Sequence, residues 1–249
     1  MKLPKSWNEI TVSQWVELNS IDPEEYNSVF LHTLEAISIL SDTDPEELEE
    51  LSPEELIDLA SQVSFIKREP SNKPNELVKG FSKGFRLKPM DALTLGEFID
   101  LEHYVSQSVQ NFDILLSILY KRWNTDEWGN LIFEPYSYSI MSRKVLFSDV
   151  SINEVYGAVK NYIDYSNDFK QRYENLFNPV IEEDEGVELD ADDLKAEAEE
   201  KVFTKWSWEK LLYDLANQDL TKIDAVTDLP LVFVFNMLSM VEELQLNKG

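Results

Sequence analysis

Apolar positions recur along most of the chain at the three-and-four spacing of amphipathic helices. Thr11-Val12-Ser13-Gln14 reads as a capping box opening a short helix through Leu18. Pro23 starts a longer helix with Val29, Phe30, Leu34, Ile37 and Leu40 on its apolar stripe. Asp44-Pro45-Glu46-Glu47 and Ser52-Pro53-Glu54-Glu55 each set a capping oxygen before proline at N1 and glutamate at N3. They predict helices over 45–51 and 53–63. Thr94-Leu95-Gly96-Glu97 is a second capping box, and the apolar run Phe112 to Trp123 predicts a buried helix. Ser151-Ile152-Asn153-Glu154 caps a long amphipathic helix reaching about Phe177, and Ser207–Asn217 and Leu229–Leu246 predict two more.

Two stretches break the helical rhythm. Residues 65–89 contain three prolines and two glycines, and Phe81, Phe85 and Leu87 support a short hairpin there. Asp126-Glu127-Trp128-Gly129-Asn130 is a turn leading into a Leu131-Ile132-Phe133 strand. The expected fold is mostly α: a multi-helix protein with one or two short β-hairpins and an acidic linker before a C-terminal helical pair. The sequence divides into an N-terminal helical unit (1–64), a basic connector (65–89), a second helical unit (90–178), the acidic linker (179–201) and a C-terminal helical segment (202–249).

One pattern occurs twice. Ile10-Thr11-Val12-Ser13-Gln14-Trp15-Val16-Glu17-Leu18 aligns with Leu93-Thr94-Leu95-Gly96-Glu97-Phe98-Ile99-Asp100-Leu101 at an offset of 83. Each begins with an apolar residue, caps with threonine, closes the box with Gln or Glu and then places an aromatic. Any capped amphipathic helix shares some of this; two related helical units share all of it.

Charge sharpens the organisation. The 249 residues carry 22 Lys+Arg against 48 Asp+Glu, a formal net charge of -26. Residues 42–58 hold nine acids and no base, and residues 182–200 hold eleven acids with Lys195 as the single base. These two stretches account for about 19 of the 26 negative charges. In the first, carboxylates sit where helix starts favour them; the second reads as an exposed linker. Residues 65–89 run the other way, with Lys67, Arg68, Lys73, Lys79, Lys83, Arg86 and Lys88 against Glu69 and Glu76. So acidic a chain is not expected to grip a nucleic-acid backbone with its general surface. No apolar run approaches the ~18 residues of a membrane span, and no secretory signal pattern is visible at the N-terminus.

Candidate chemistry is sparse. With no cysteine there is no disulfide, thiolate ligand or thiol nucleophile. No Walker, G-x-S-x-G or H-E-x-x-H pattern occurs, and Gly80-Phe81-Ser82-Lys83-Gly84 lacks the spacing of a phosphate loop. His32 and His103 read as ordinary boundary residues. A calcium loop begun at Asp42 has Glu47 where glycine is required; one begun at Asn124 ends on Pro135 instead of a bidentate glutamate. No catalytic residue, metal ligand or cofactor is expected. In contrast, Leu229 to Val241 is apolar around almost a whole helix, which demands burial in a core or a subunit interface. Trp206 and Trp208 just upstream would anchor either arrangement.

The opening Leu3-Pro4-Lys5-Ser6-Trp7-Asn8-Glu9-Ile10-Thr11-Val12-Ser13-Gln14-Trp15 resembles the start of small proteins of tailed bacteriophages encoded among head, neck and tail genes. Leu93 to Leu101 is similar to a second pattern of that group, as are Trp208, Leu211, Leu212, Leu215, Ala216 and Leu229-Pro230-Leu231 to its C-terminal stretches. Phages of Bacteroidetes hosts, including crAss-like podoviruses, are the comparison. The resemblance covers three short regions, about a fifth of the chain by count along the sequence. It implies a non-enzymatic virion structural or assembly protein, foremost a ring-forming neck or tail component. Its partners would be itself and the phage portal, neck and tail proteins, in the virion and, during assembly, the host cytoplasm. A tail assembly chaperone absent from the virion, an acidic adaptor or DNA mimic, and a carboxylate-metal enzyme are the rival expectations. Candidate interface residues are Trp7, Trp15, Phe98, Trp206, Trp208, Phe233, Phe235, Met237 and Met240; candidate electrostatic contacts are Lys79, Lys83, Arg86 and Lys88.

Overall fold

The computed structural model describes residues 1–21, 29–78, 84–107, 109–137, 142–177 and 207–246. The expected helix start at Pro23, Phe81 of the hairpin, Lys79, Lys83, the acidic stretch 182–200 and Trp206 lie outside them. The described chain is mostly α, with twelve α-helices and one small antiparallel sheet.

In chain order, α1 (Val12–Ser20), α2 (Val29–Ser41), α3 (Pro45–Glu49) and α4 (Pro53–Gln62) come first. Strands β1 (Leu77–Val78) and β2 (Phe85–Leu87) then precede α5 (Leu95–Gln107) and α6 (Phe112–Leu119). Strands β3 (Tyr120–Thr125) and β4 (Leu131–Phe133) follow, then α7 (Lys144–Phe147), α8 (Ile152–Arg172) and α9 (Glu174–Phe177). The described chain ends with α10 (Ser207–Leu215), α11 (Ile223–Thr227) and α12 (Leu231–Leu246).

The helix starts follow the local chemistry. Thr11 and Gln14 form the expected reciprocal box, as do Ser52 and Glu55. The Thr94 amide donates to Glu97 Oε2 at 2.9 Å while the Glu97 amide donates to Thr94 Oγ at 3.3 Å. Asp44 accepts the Glu46 amide at 2.9 Å. Each device satisfies amides that the first turn would leave unpaired.

The run from Phe112 to Trp123 is not one helix. It is helical to Leu119, and the backbone turns extended at Tyr120, with φ -97° and ψ 116°. Tyr120–Thr125 has the aromatic and β-branched character of a strand, and it gains a partner on each edge. β3 pairs with β2 in the register Phe85↔Arg122 and Leu87↔Tyr120, and with β4 as Trp123↔Phe133 and Thr125↔Leu131. The two expected hairpins are thus halves of a single sheet ordered β1-β2-β3-β4. The long helix expected to reach Phe177 is interrupted by a turn at Tyr173, giving α8 and α9.

The chain separates into two compact units interleaved along the sequence: Met1–Pro89 with Leu101–Tyr165, and Met90–Asp100 with Ser166–Gly249. The segments 1–64 and 65–89 therefore belong to one unit, and 90–178 is shared between both. In the first unit Trp15 packs on Phe112 and Tyr156 at ring separations of 4.6 and 5.7 Å, and Ile10, Leu116, Ile152 and Val155 are fully buried. In the second, Phe98, Phe169, Tyr173, Phe177, Trp208 and Phe235 form a continuous aromatic cluster with centroids 4.7–6.0 Å apart.

Candidate functional site

The repeated sequence pattern builds the same local structure in each unit. In the first, the Val12 amide donates to Val150 O and the Ile152 amide to Ile10 O, both at 2.9 Å, bridging Thr11 to Ser151. In the second, the Leu95 amide donates to Leu229 O and the Leu231 amide to Leu93 O, again at 2.9 Å, bridging Thr94 to Pro230. Each bridge launches two helices, α1 with α8 and α5 with α12. Its flanking apolar residues Ile10, Ile152, Leu93, Leu95 and Leu231 are all fully buried. Gly96 completes the second bridge: a Cβ there would fall 2.8 Å from the Thr227 side chain.

The aromatic candidates divide sharply. Trp15, Phe98 and Phe235 are buried inside their own units, so they offer nothing to a partner. Trp208 is half-buried against Phe98 and Phe177. Trp7 is a tether within the first unit: its Nε1–H donates to Arg68 O at 2.8 Å, its ring meets Phe65 edge-on, and its carbonyl accepts from the Ser151 hydroxyl. An aromatic residue type calls for burial, and in these cases the chain itself supplies it.

The electrostatic candidates change as well. Lys88 is buried, with its amide bound to Leu119 O at 2.9 Å, so it is no surface contact. Arg86 forms an ion pair with Glu76 at 2.6 Å and lies over the Trp123 ring at 5.2 Å. Sequence reasoning missed Lys121, fully buried in β3 with its ammonium 4.6 Å from the Tyr136 ring centroid. It also missed Arg143, which pairs with Glu134 and stacks on Phe85. Arginine and lysine stems can cover apolar surface while their heads find a charge or a ring.

Among the described residues, no group of three His, Asp or Glu side chains converges as a metal-ligand set, and no helix is long and apolar enough to cross a membrane. A cleft of about 410 Å³ between α2 and α4 is lined by Leu34, Ile37, Pro53, Leu56, Ile57 and Ala60 together with Thr33, a mainly apolar wall without ionisable groups. Desolvation raises the Asp113 carboxyl above its ordinary range, opposed by Lys144.

The remaining candidates, Phe233, Met237 and Met240, do lie on the surface. α12 is not buried all round as expected. Leu231, Val234 and Phe235 face the core, while Phe233 (54% exposed), Met237 (42%), Met240 (44%), Val241 (45%) and Leu244 (54%) face outward. At ~100° per residue, Phe233, Met237, Met240 and Leu244 fall within about 60° of arc. Their 4-3-4 spacing is that of a coiled-coil seam. Together the five expose on the order of 400 Å² of apolar surface, within the roughly 300–600 Å² of the largest patch on a typical monomer. Covering it completely is worth about 10 kcal/mol per copy at ~25 cal/mol/Å², against a general association cost of roughly 4–15 kcal/mol.

No family model, curated protein or solved structure matches the chain.

Proposed function

We propose that this chain is a non-enzymatic structural or assembly protein of a tailed-phage particle, a ring-forming component of the neck or tail that contacts copies of itself through α12. The observation that carries the reading is the exposed seam Phe233, Met237, Met240, Val241 and Leu244. A soluble surface pays continuously for such a stripe unless another apolar surface covers it. The phage-like stretches Leu3–Trp15 and Leu93–Leu101 support it in a second way, since both are the bridge-and-cap devices that start the two helical units. Motifs of that kind belong to architecture, not to a reaction centre.

The acidic-adaptor reading has less behind it. Asp44 and Glu55 in the acidic stretch are spent on the starts of α3 and α4, as hydrogen-bond acceptors. A DNA mimic needs its carboxylates set at phosphate spacing.

Light scattering on the purified chain, combined with mass spectrometry of purified virions, tests the proposal. An oligomer that is also present in virions supports it. An oligomer found only in infected-cell lysate favours the assembly chaperone. A monomer at high concentration, absent from virions, refutes both.

A further inference from the structure

We infer that α12 docks on α12 of a second copy in antiparallel fashion, about a two-fold axis passing between Leu238 and Ser239. The inference deepens, and rests on, the reading of α12 as a self-contact.

The bridge-and-helix device supplies an internal comparison. Ile152 and Leu231 occupy the same place in their bridges, so the α12 seam can be laid on α8 turn for turn. Phe233, Met237, Met240, Val241 and Leu244 then correspond to Glu154, Ala158, Asn161, Tyr162 and Tyr165. None of those five is exposed, and Ala158 and Tyr162 are fully buried. Protein covers them: Asn75 Nδ2 donates to Glu154 O at 3.0 Å, and the Tyr162 hydroxyl donates to Glu102 at 2.7 Å. Between them, Gly157 lies directly under the Lys73–Pro74 backbone. The same helix face is therefore covered in one unit and open in the other, where its side chains are wholly apolar.

Charge selects the occupant. A helix favours acids at its N-terminus and bases at its C-terminus. α12 has no acid in its first turn and no base in its last, while Glu242 and Glu243 stand near its C-terminal end. Pro230 precedes the first turn and brings no capping side chain to the Val232 and Phe233 amides. An antiparallel second copy sets Glu243 of each helix, which borders the seam, beside the N-terminal turn of the other; Glu242 lies about 170° round the helix from the seam. A parallel copy gathers the glutamates of both helices at the same end and aligns the two dipoles. The antiparallel register also matches side-chain size, with Phe233 opposite Leu244 and Met237 opposite Met240. Such a contact is isologous: each copy presents the same patch. Closing a ring then requires a different surface, and the complete assembly holds an even number of chains.

Because the chain has no cysteine, introduced thiols report without background. Phe233→Cys and Leu244→Cys chains are prepared separately and treated with a short bifunctional thiol reagent, alone and mixed. Light scattering on the untreated full chain runs alongside. The antiparallel pair predicts cross-linked dimer in the mixture at least tenfold above either chain alone. In this geometry two Phe233→Cys positions are about 16 Å apart along the axis, from eleven residues at 1.5 Å each. Cross-linking of Phe233→Cys alone means a parallel pair, which overturns the inference and leaves α12 as a self-contact. An oligomer with no cross-link in any mixture overturns it by placing the contact elsewhere. A chain that stays monomeric overturns it together with the reading on which it rests. Met240→Lys, on the exposed face, is expected to halve the mass of the wild-type assembly or reduce it further, with circular dichroism unchanged.

Discussion

Gly157→Ala decides between helix propensity and packing at the middle of α8. In a free helix, alanine for glycine is stabilising by about 1 kcal/mol. Here the added Cβ would stand 2.5 Å from the Lys73 carbonyl carbon, 2.6 Å from its oxygen and 2.7 Å from the Pro74 nitrogen. Carbon contacts relax at about 3.5–4.0 Å, so the 71–75 segment has to lift by roughly 1 Å. Three hydrogen bonds hold that segment: the Ser71 amide to Asn153 Oδ1 at 2.8 Å, Asn75 Nδ2 to Glu154 O at 3.0 Å, and the Tyr120 hydroxyl to Asn75 O at 2.8 Å. Stretching bonds worth about 1 kcal/mol each, on top of an overpacking cost of about 1–3 kcal/mol, outweighs the propensity gain. The net expectation is a loss of about 2 kcal/mol, or roughly 4–8 °C in Tm for a chain of this size. Thermal melts followed by circular dichroism, with urea titration as a second measure, read it directly. An unchanged or raised Tm would show that the covering segment yields freely and that the contact described here does not constrain α8.

Other perturbations address separate features. Burial pushes the Tyr120 phenol up, with Glu154 adding to the effect. The unfolded chain therefore ionises first, and stability is full below about pH 10 and falls as pH rises above it. Tyr120→Phe should flatten that alkaline decline in pH-dependent urea melts and lower stability at neutral pH by about 1 kcal/mol. Asp126 is held below its usual range by Asn130 and by amides of the β3–β4 turn, including that of Trp128. Its contribution is present above the ordinary aspartate pKa and lost as pH falls through the lowered value; Asp126→Ala should abolish that acid transition in Trp128 fluorescence. Phe98→Ala removes a fully buried ring that touches Phe169 and Trp208, and should cost about 3–5 kcal/mol in a chemical melt of the second unit. Ser52→Ala should cost about 1 kcal/mol through loss of the α4 cap, visible as faster amide exchange in that helix.

The features legible in the sequence were those decided within a few residues. Thr11, Asp44, Ser52 and Thr94 cap as their spacing predicts because donor and acceptor are local. The strand at Tyr120 was hidden because its partner Leu87 is 33 residues away, and Phe112–Trp123 is apolar enough to pass for helix. Trp15, Phe98 and Phe235 demanded burial without naming what would bury them. Lys88 reads as a surface contact, and Lys121 goes unnoticed, because residue type does not report a covering layer. The bridge partners had a faint signal in Val150-Ser151-Ile152 and Leu229-Pro230-Leu231, each an apolar pair straddling one residue just before a helix. In α12, apolarity on every side concealed the division between a face for the core and a face for a partner.

The two bridges also impose an order on synthesis. Ile10 and Val12 leave the ribosome about 140 residues before Val150 and Ile152, the partners that close the first unit. Leu93 and Leu95 wait as long for Leu229 and Leu231. Until then Leu93 and Leu95, both fully buried in the finished fold, lack the backbone partners that close their bridge. A nascent chain stalled before residue 229 therefore lacks those partners and α12 altogether. Synthesis thus couples the two features: the apolar seam of α12 exists only in a chain that has been read through the second bridge.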